Sequence, residues 1–509
     1  MGGARTTAIA KNATYSMVCH LLTLLMQFVV RTIFIRYLNI EYLGINGLFT
    51  NVLTILSFAE LGIGNAIVFS LYKPLAVRDN YKVAQLMQLY KKTYIIIAII
   101  VLVLGCFLLP FLNVFIKCKP NINEDLNVIY LVFVLNTAIS YLFVYKQSLI
   151  IADQKKYIIT FYTLIIAIIF SFFQSISLIL FKSFYLYLVL MLFSTIVTNV
   201  FISQKCNRLY PNITKRDVDK LSQNETKDIF LNVKSMCVYR FGGVILNSTS
   251  NIFISKIFGV AVLGICSNFI YITSAVNTLL SQILLSLTPS IGNLNAIESI
   301  EHKRVTFYKT TVICFWLYGF VCSGLMAFFN EFISIWIGEK YTIDSLIILS
   351  IVLVVYIDNA GFSLYTYRIT LGLFRKGKYS PIIASVVSVL LTLLLSHKIG
   401  VAGVFFAVSI ARFLVINMTD VYLVFKYGLK SKPMKFFCYY VSFTLFTVIA
   451  CMLGRYICND IITDNPYLTF ILRVAFYSIF YNVLFISIFG RNKSLKSLVA
   501  NIKSLMSKS

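Results

Sequence analysis

Apolar runs of 18 to 30 residues alternate along the chain with short connections that hold most of the charges. A helix of about 20 apolar residues crosses a hydrocarbon layer of about 30 Å, and it pairs its backbone N–H and C=O groups within itself. The pattern predicts fourteen spans, at about residues 12–37, 43–70, 93–116, 127–150, 157–181, 184–204, 229–255, 260–289, 307–329, 343–370, 380–397, 401–425, 435–457 and 467–489, with twelve as the nearest alternative. The predicted fold class is an all-α polytopic membrane protein of about 14 transmembrane helices.

Polar residues inside the spans are not scattered. In the first span Asn12, Ser16, His20, Thr23, Gln27 and Arg31 recur at intervals of three or four. At 100° per residue all six fall in a sector of about 100°. Lipid penalises such a face, so it lines water or another polar helix surface. An unbroken stripe capped by an arginine points to a wet cavity rather than to the scattered Ser and Thr of helix packing. The second span repeats the device with Asn46, Thr50, Ser57, Glu60 and Gly64, interrupted only by Leu53. Arg240, Gly243, Asn247 and Ser250 mark the seventh span, Ser267, Tyr271, Ser274, Thr278 and Ser281 the eighth, and Asp358, Gly361, Tyr365 and Arg368 the tenth. The longest polar connection, residues 205–228, separates six spans from eight, so stripes open both halves. Corresponding helices of two halves around one cavity are expected of an alternating-access transporter.

Composition removes the soluble alternatives. Of the 509 residues 59% are hydrophobic and 13% charged, with a mean hydropathy of +0.85, whereas a soluble domain carries about 25% charge. A β-barrel, a disordered chain and a secreted disulfide scaffold are excluded. The net charge of +26 does not indicate nucleic acid, because the basic residues sit in alternate connections. With the N-terminus inside, 33 of the 45 Lys and Arg fall in inner connections and tails and 8 in outer ones, while acids divide evenly. Both termini are therefore predicted to be cytoplasmic. The 11 cysteines show no CxxC pair and no companion His cluster, so neither a metal nor a disulfide framework is signalled. No GK[ST] P-loop, nucleophile elbow or HExxH occurs, and no cofactor is implied.

Seven ionisable residues remain inside spans: Arg31, Arg240, Arg412, Arg473, Glu60, Asp358 and Asp420. A charge at mid-bilayer costs several kcal/mol, so each is a functional candidate by default. Asp420 and Arg473 lie near span ends, where snorkelling explains them. Arg31, Arg240, Arg412 and, at the inner end, Arg368 outnumber Glu60 and Asp358, and guanidinium forks match phosphate. The cargo is expected to be anionic, and the very apolar outer faces suit a lipid tail. Pairing of Asp358 with Arg412 is the purely structural alternative. Gln27, His20 and Asn247 complete the predicted lining. Four glycines in the second span, Gly44, Gly47, Gly62 and Gly64, serve packing or bending, and Pro74, Pro289 and Pro381 are expected to mark span ends.

The run from Arg31 through Glu41-Tyr-Leu-Gly-Ile-Asn-Gly-Leu-Phe-Thr50 to Ala59-Glu60-Leu-Gly-Ile-Gly64 and Phe69-Ser-Leu-Tyr-Lys-Pro-Leu75 resembles the start of bacterial oligosaccharide-lipid flippases. These form the polysaccharide-transport branch of the multidrug/oligosaccharidyl-lipid/polysaccharide exporter superfamily. Further similarities are Gly242-Gly-Val-Ile-Leu-Asn-Ser-Thr249, Ser290-Ile-Gly-Asn-Leu294, Gly400-Val-Ala-Gly403 and Val421-Tyr-Leu-Val-Phe-Lys-Tyr427, so the resemblance covers essentially the whole chain. It implies two pseudo-symmetric six-helix lobes around a central cavity, residues 1–204 and 229–430 joined by the loop 205–228, with two further helices and a basic tail in 431–509. It also implies translocation of undecaprenyl-diphosphate-linked oligosaccharide repeat units for capsule, O-antigen or exopolysaccharide. Arg31, Glu60, Arg240 and Arg412 would face the cavity. Polysaccharide polymerase and glycosyltransferase partners and a coupling ion, H+ or Na+, are part of that expectation, although Ser250 and Ile369 stand where the pattern has acids. A membrane polysaccharide polymerase or glycosyltransferase and a multidrug-type exporter are the alternatives. The short external connections disfavour the first, and the arginine excess disfavours the second.

Overall fold

A computed structural model of the chain describes residues 2–60, 63–214, 218–219, 221–373 and 376–490, with side chains in the first helix described from Met17 onward. The described residues contain helices and turns and no strand. The protein is an all-α polytopic membrane protein. Among the described residues ten helices are long and apolar enough to cross a membrane, or eleven if one bent pair counts as a span. The basic tail after residue 490 lies outside the described residues.

The spans form helices α1 (Gly2–Tyr37), α2 (Ile40–Leu56), α3 (Ile63–Ala76), α4 (Asn80–Leu108), α5 (Leu126–Tyr141), α6 (Val144–Ala152), α7 (Lys156–Phe181) and α8 (Phe184–Leu209). They continue as α9 (Pro211–Thr214), α10 (Gln223–Phe258), α11 (Val260–Leu285), α12 (Thr288–Ile297), α13 (Ile300–Ile337), α14 (Ser345–Ala360) and α15 (Phe362–Thr370). The last are α16 (Ser380–Ala411), α17 (Met418–Leu423), α18 (Met434–Asn459) and α19 (Pro466–Phe489).

Five expected spans depart from the simple helices the pattern predicts. The second stops at Leu56, passes through a 3-10 turn over Ser57–Glu60 and resumes as α3. The fourth is α5 and α6, bent by 41°. For the seventh, α10 begins at Gln223, so the polar connection expected at 205–228 is shortened from both sides, α8 running on to Leu209. The eleventh and twelfth lie in one 50-residue run, Ser380–Leu429. A straight helix of that length would extend about 75 Å, more than twice the hydrocarbon thickness. The run instead reverses at Ile399 (φ −127°, ψ 22°) and Gly400 (φ 62°, ψ −143°). The left-handed φ at Gly400 costs glycine little. Gly403 then passes so close to the Leu395 carbonyl that a Cβ there would collide with it. Of the three prolines expected at span ends, Pro289 and Pro381 stand at the starts of α12 and α16, while Pro74 lies inside α3.

The chain divides into two compact units, Met1–Gly264 and Ile265–Ser509, a boundary within the first turns of α11. In the first unit α10 packs on α2 and α3. The start of α11 crosses α2 with backbone on backbone: a Cβ on Gly44 would meet the Val260 carbonyl, and one on Gly264 the Ile40 carbonyl. Paired glycines are what such a close crossing requires. The remaining core is built on Leu71, Tyr90, Tyr94, Val101, Leu149 and Ile202. In the second unit the 38-residue α13 is the spine. Near one end Phe307 sits among Tyr367, Phe425 and Phe436. Further along, the Trp316 indole N–H donates to Asn482 of α19 (3.0 Å) and the Tyr318 hydroxyl to Asn277 of α11 (2.9 Å). Exposed apolar side chains such as Phe69, Phe107, Phe172, Leu394, Val448 and Ile479 give both units a lipid-facing exterior.

Candidate functional site

The first unit brings two of the predicted residues together where α2 ends. Three side chains in its last turns hydrogen-bond back to the preceding turn: Asn51 to the Gly47 carbonyl (2.7 Å), Thr54 to that of Thr50 (2.7 Å) and Ser57 to that of Leu53 (2.8 Å). Such bonds compete with the helix ladder and favour its ending. Glu60 closes the 3-10 turn, half-buried, within electrostatic reach of Arg240 on α10 and of the Tyr94 and Tyr141 phenols on α4 and α5. Gly64 makes room for this group. A Cβ there would lie 3.3 Å from the Glu60 Oε1 and 3.2 Å from the Tyr94 hydroxyl. A carboxylate, a guanidinium and two phenols thus surround one interruption in a membrane helix.

The other predicted residues of this unit stand apart from that pocket or at its margin. On α10, Asn247 is exposed, as is Arg240 itself, and the buried Ser250 donates to the Asn247 carbonyl (3.1 Å). On α1, Gln27 is exposed and His20 and Arg31 are half-buried, with Arg31 in electrostatic reach of Tyr187 on α8. Asn12 and Ser16, the first members of that stripe, lie outside the described side chains. Sequence reasoning missed Tyr94 and Tyr141. Their signal was weak, because Tyr90 and Tyr94 recur at helical spacing on an otherwise ordinary apolar face.

In the second unit Arg412 is ion-paired to Asp358, the structural alternative considered above. The guanidinium is buried, whereas the carboxylate side chain keeps 44% of its exposure. Arg412 opens a π-helical turn over Arg412–Asn417, and Asn417 at its end donates to the Ile357 carbonyl (3.1 Å). Such turns are frequent at functional sites. Arg368 and Asp420 correct the sequence reading. Arg368 was expected at the inner end of the cavity and Asp420 was expected to snorkel; they are instead 1% and 4% exposed and paired with each other between α15 and α17. A break at Gly361 (φ −83°, ψ 5°) separates α14 from α15, so the helical spacing from Asp358 to Arg368 does not run along one continuous helix. Arg473 is held at the edge of α19 by Glu331 (3.1 Å) and the Ile461 carbonyl (3.0 Å).

Solved structures of integral membrane proteins share this fold. The lipid II flippase MurJ in an inward closed conformation superposes with a TM-score of 0.66 at 14% identity over 93% of this chain and 98% of that one. An inward-facing multidrug resistance MATE family transporter of the MOP superfamily gives 0.62 at 15% identity, over 81% of this chain and 98% of that one. A Vibrio cholerae MATE transporter, VcmN, gives 0.56 at 14%, over 85% and 99%. The shared property is the fold. The chain itself belongs to the polysaccharide biosynthesis protein family, which matches residues 9–295. No curated protein matches it.

Proposed function

We propose that the protein is a flippase that moves undecaprenyl-diphosphate-linked oligosaccharide repeat units from the inner to the outer leaflet of the bacterial plasma membrane, with both termini cytoplasmic, for assembly of capsule, O-antigen or exopolysaccharide. The observation that carries this reading is the charged cluster at the break between α2 and α3. Within an apolar exterior, Arg240 stands beside Glu60, in a chain whose family is named for polysaccharide biosynthesis. Arginine recruits the diphosphate, and the cargo's tail stays in the bilayer while two lobes, residues 1–204 and 229–430, rock about a central cavity. Glu60 and the half-open Asp358 are the carboxylates available to a coupling ion, H+ or Na+. The protein acts as a carrier rather than an enzyme, handing repeat units to a polymerase and receiving them from glycosyltransferases.

The test replaces Arg31 and Arg240 singly by Ala. Surface polysaccharide should fall about tenfold or more at unchanged protein level, the loss of one charge-assisted contact to phosphate. Unchanged polysaccharide in both variants sinks the reading. Depletion of the protein should leave intact repeat units inaccessible to an impermeant sugar-modifying probe; units that are exposed outside but unpolymerised would point to a polymerase. A multidrug-type exporter is the second reading, favoured by the fold shared with MATE transporters and by the open Asp358 carboxylate. Drug efflux lost on depletion, with no change in the lipid-linked pool, would select it.

A further inference from the structure

Two cations meet on one aromatic pair at the end of the second unit. The connection after α15 places the Lys376 ammonium 3.4 Å from the centroid of the Tyr427 ring. The Lys426 ammonium approaches the same ring at 5.5 Å and the Tyr422 ring at 4.8 Å, and it donates to the Tyr422 hydroxyl. The two rings stand edge to face, 6.4 Å apart. All four side chains are exposed. Neither lysine has a carboxylate within ion-pairing distance among the described residues, and Asp420, the acid one turn earlier on the same run of helix, is committed to Arg368. Like charges gathered on one ring pair repel, and an anion between them relieves that repulsion.

The platform is built rather than incidental. Gly377 rests directly on α17: a Cβ there would lie 3.0 Å from Leu423 Cδ1, 3.4 Å from Thr419 Cγ2 and 3.6 Å from Arg368 Cζ. The turn that carries Lys376 is therefore seated on the buried Arg368–Asp420 pair, which fixes Lys376 over Tyr427. On the other side, Arg304 of α13 donates to the Leu429 carbonyl (2.8 Å) and to that of Lys430, tying down the chain that follows Tyr427. Tyrosines at span ends are suited to the boundary between hydrocarbon and water.

We propose that Lys376, Lys426, Tyr422 and Tyr427 form a landing site for the diphosphate of the lipid-linked cargo on the face from which transport starts. Two compact ammonium charges match a diphosphate better than the single charge of a phospholipid diester, and the ring faces suit the first apolar units of its tail. This rests on the flippase reading and adds to it a recruitment step outside the intramembrane pocket.

The experiment uses the purified full chain in nanodiscs of zwitterionic lipid and measures binding of farnesyl diphosphate, farnesyl monophosphate and phosphatidylglycerol. The wild type should prefer the diphosphate. Lys376→Gln and Lys426→Gln should each weaken its binding about tenfold, with both together weakening it further and leaving thermal unfolding unchanged. Diphosphate binding unaltered in the double variant overturns the landing site, as does a preference for phosphatidylglycerol. The flippase reading fails separately, through the depletion assay: probe binding that depends on both lysines, in a protein whose depletion leaves repeat units exposed outside, would keep the diphosphate site and remove its cargo.

Discussion

At the scale of single residues, the two ion pairs of the second unit should behave differently when broken. Arg368 and Asp420 are both withdrawn from solvent, so Arg368→Leu leaves a buried carboxylate without its countercharge, at a cost of about 3–5 kcal/mol. The expected outcome is a large drop in the unfolding temperature of the detergent-solubilised protein, with Arg368→Leu/Asp420→Leu recovering most of it. A double variant as unstable as the single one would mean that the pair is not what stabilises this region. Membership of the charged set was legible in the sequence, because an Arg or Asp within twenty apolar residues has no other explanation. Partnership was not. Asp420 lies near a span end, where lipid headgroups and a neighbouring helix are equally plausible destinations, and the choice was made by the approach of α15 to α17. Glu60 and Arg240 lie 180 positions apart in the sequence, and their meeting depends on α10 packing against the break after α2.

At the scale of elements, apolar length predicts where helices run but not where they break. The turn at Ile399–Gly400 was legible as the gap between two spans, and its geometry explains the glycine. Gly403→Leu should prevent closure of this hairpin, because the new side chain would occupy the position of the Leu395 carbonyl, and folded protein should be lost in size-exclusion chromatography. Gly400→Ala should be milder, about 1–3 kcal/mol for an L-residue at φ 62°, ψ −143°, read as a fall in unfolding temperature with folded protein retained. Equal effects would place the constraint in the backbone angle rather than in the crossing. The break at Ser57–Glu60 was hidden because Leu56, Phe58 and Ala59 maintain the apolar pattern through it. The cluster of Glu60, Gly62 and Gly64 was the available signal.

At the scale of the whole molecule, the biased distribution of Lys and Arg predicts an orientation that native chemistry can check. Cys118 is exposed in the connection between α4 and α5, predicted to be outside, and Lys432 lies in one predicted to be inside. An impermeant maleimide added to intact cells should label Cys118, with Cys118→Ser as control, while Lys432→Cys in the Cys118→Ser background should react only after permeabilisation. The reverse pattern would invert the direction of transport. The all-α membrane class was legible from hydropathy, since it depends on local sequence. The division at Gly264 was not, because it arises from the glycine crossing of α2 and α11, a contact between distant segments.

The bond from Trp316 to Asn482 has an optical consequence. The chain holds two tryptophans, Trp316 and Trp336, and both are on α13. Intrinsic fluorescence excited at the red edge of protein absorbance therefore reports on one helix and on the seating of α19 against it, where Phe485 lies 6.3 Å from the Trp316 ring. Detachment of α19 should shift the emission to longer wavelength, whereas a local event confined to residues 1–264 has no indole to disturb, which makes the unmodified protein a selective spectroscopic sensor of its own second unit.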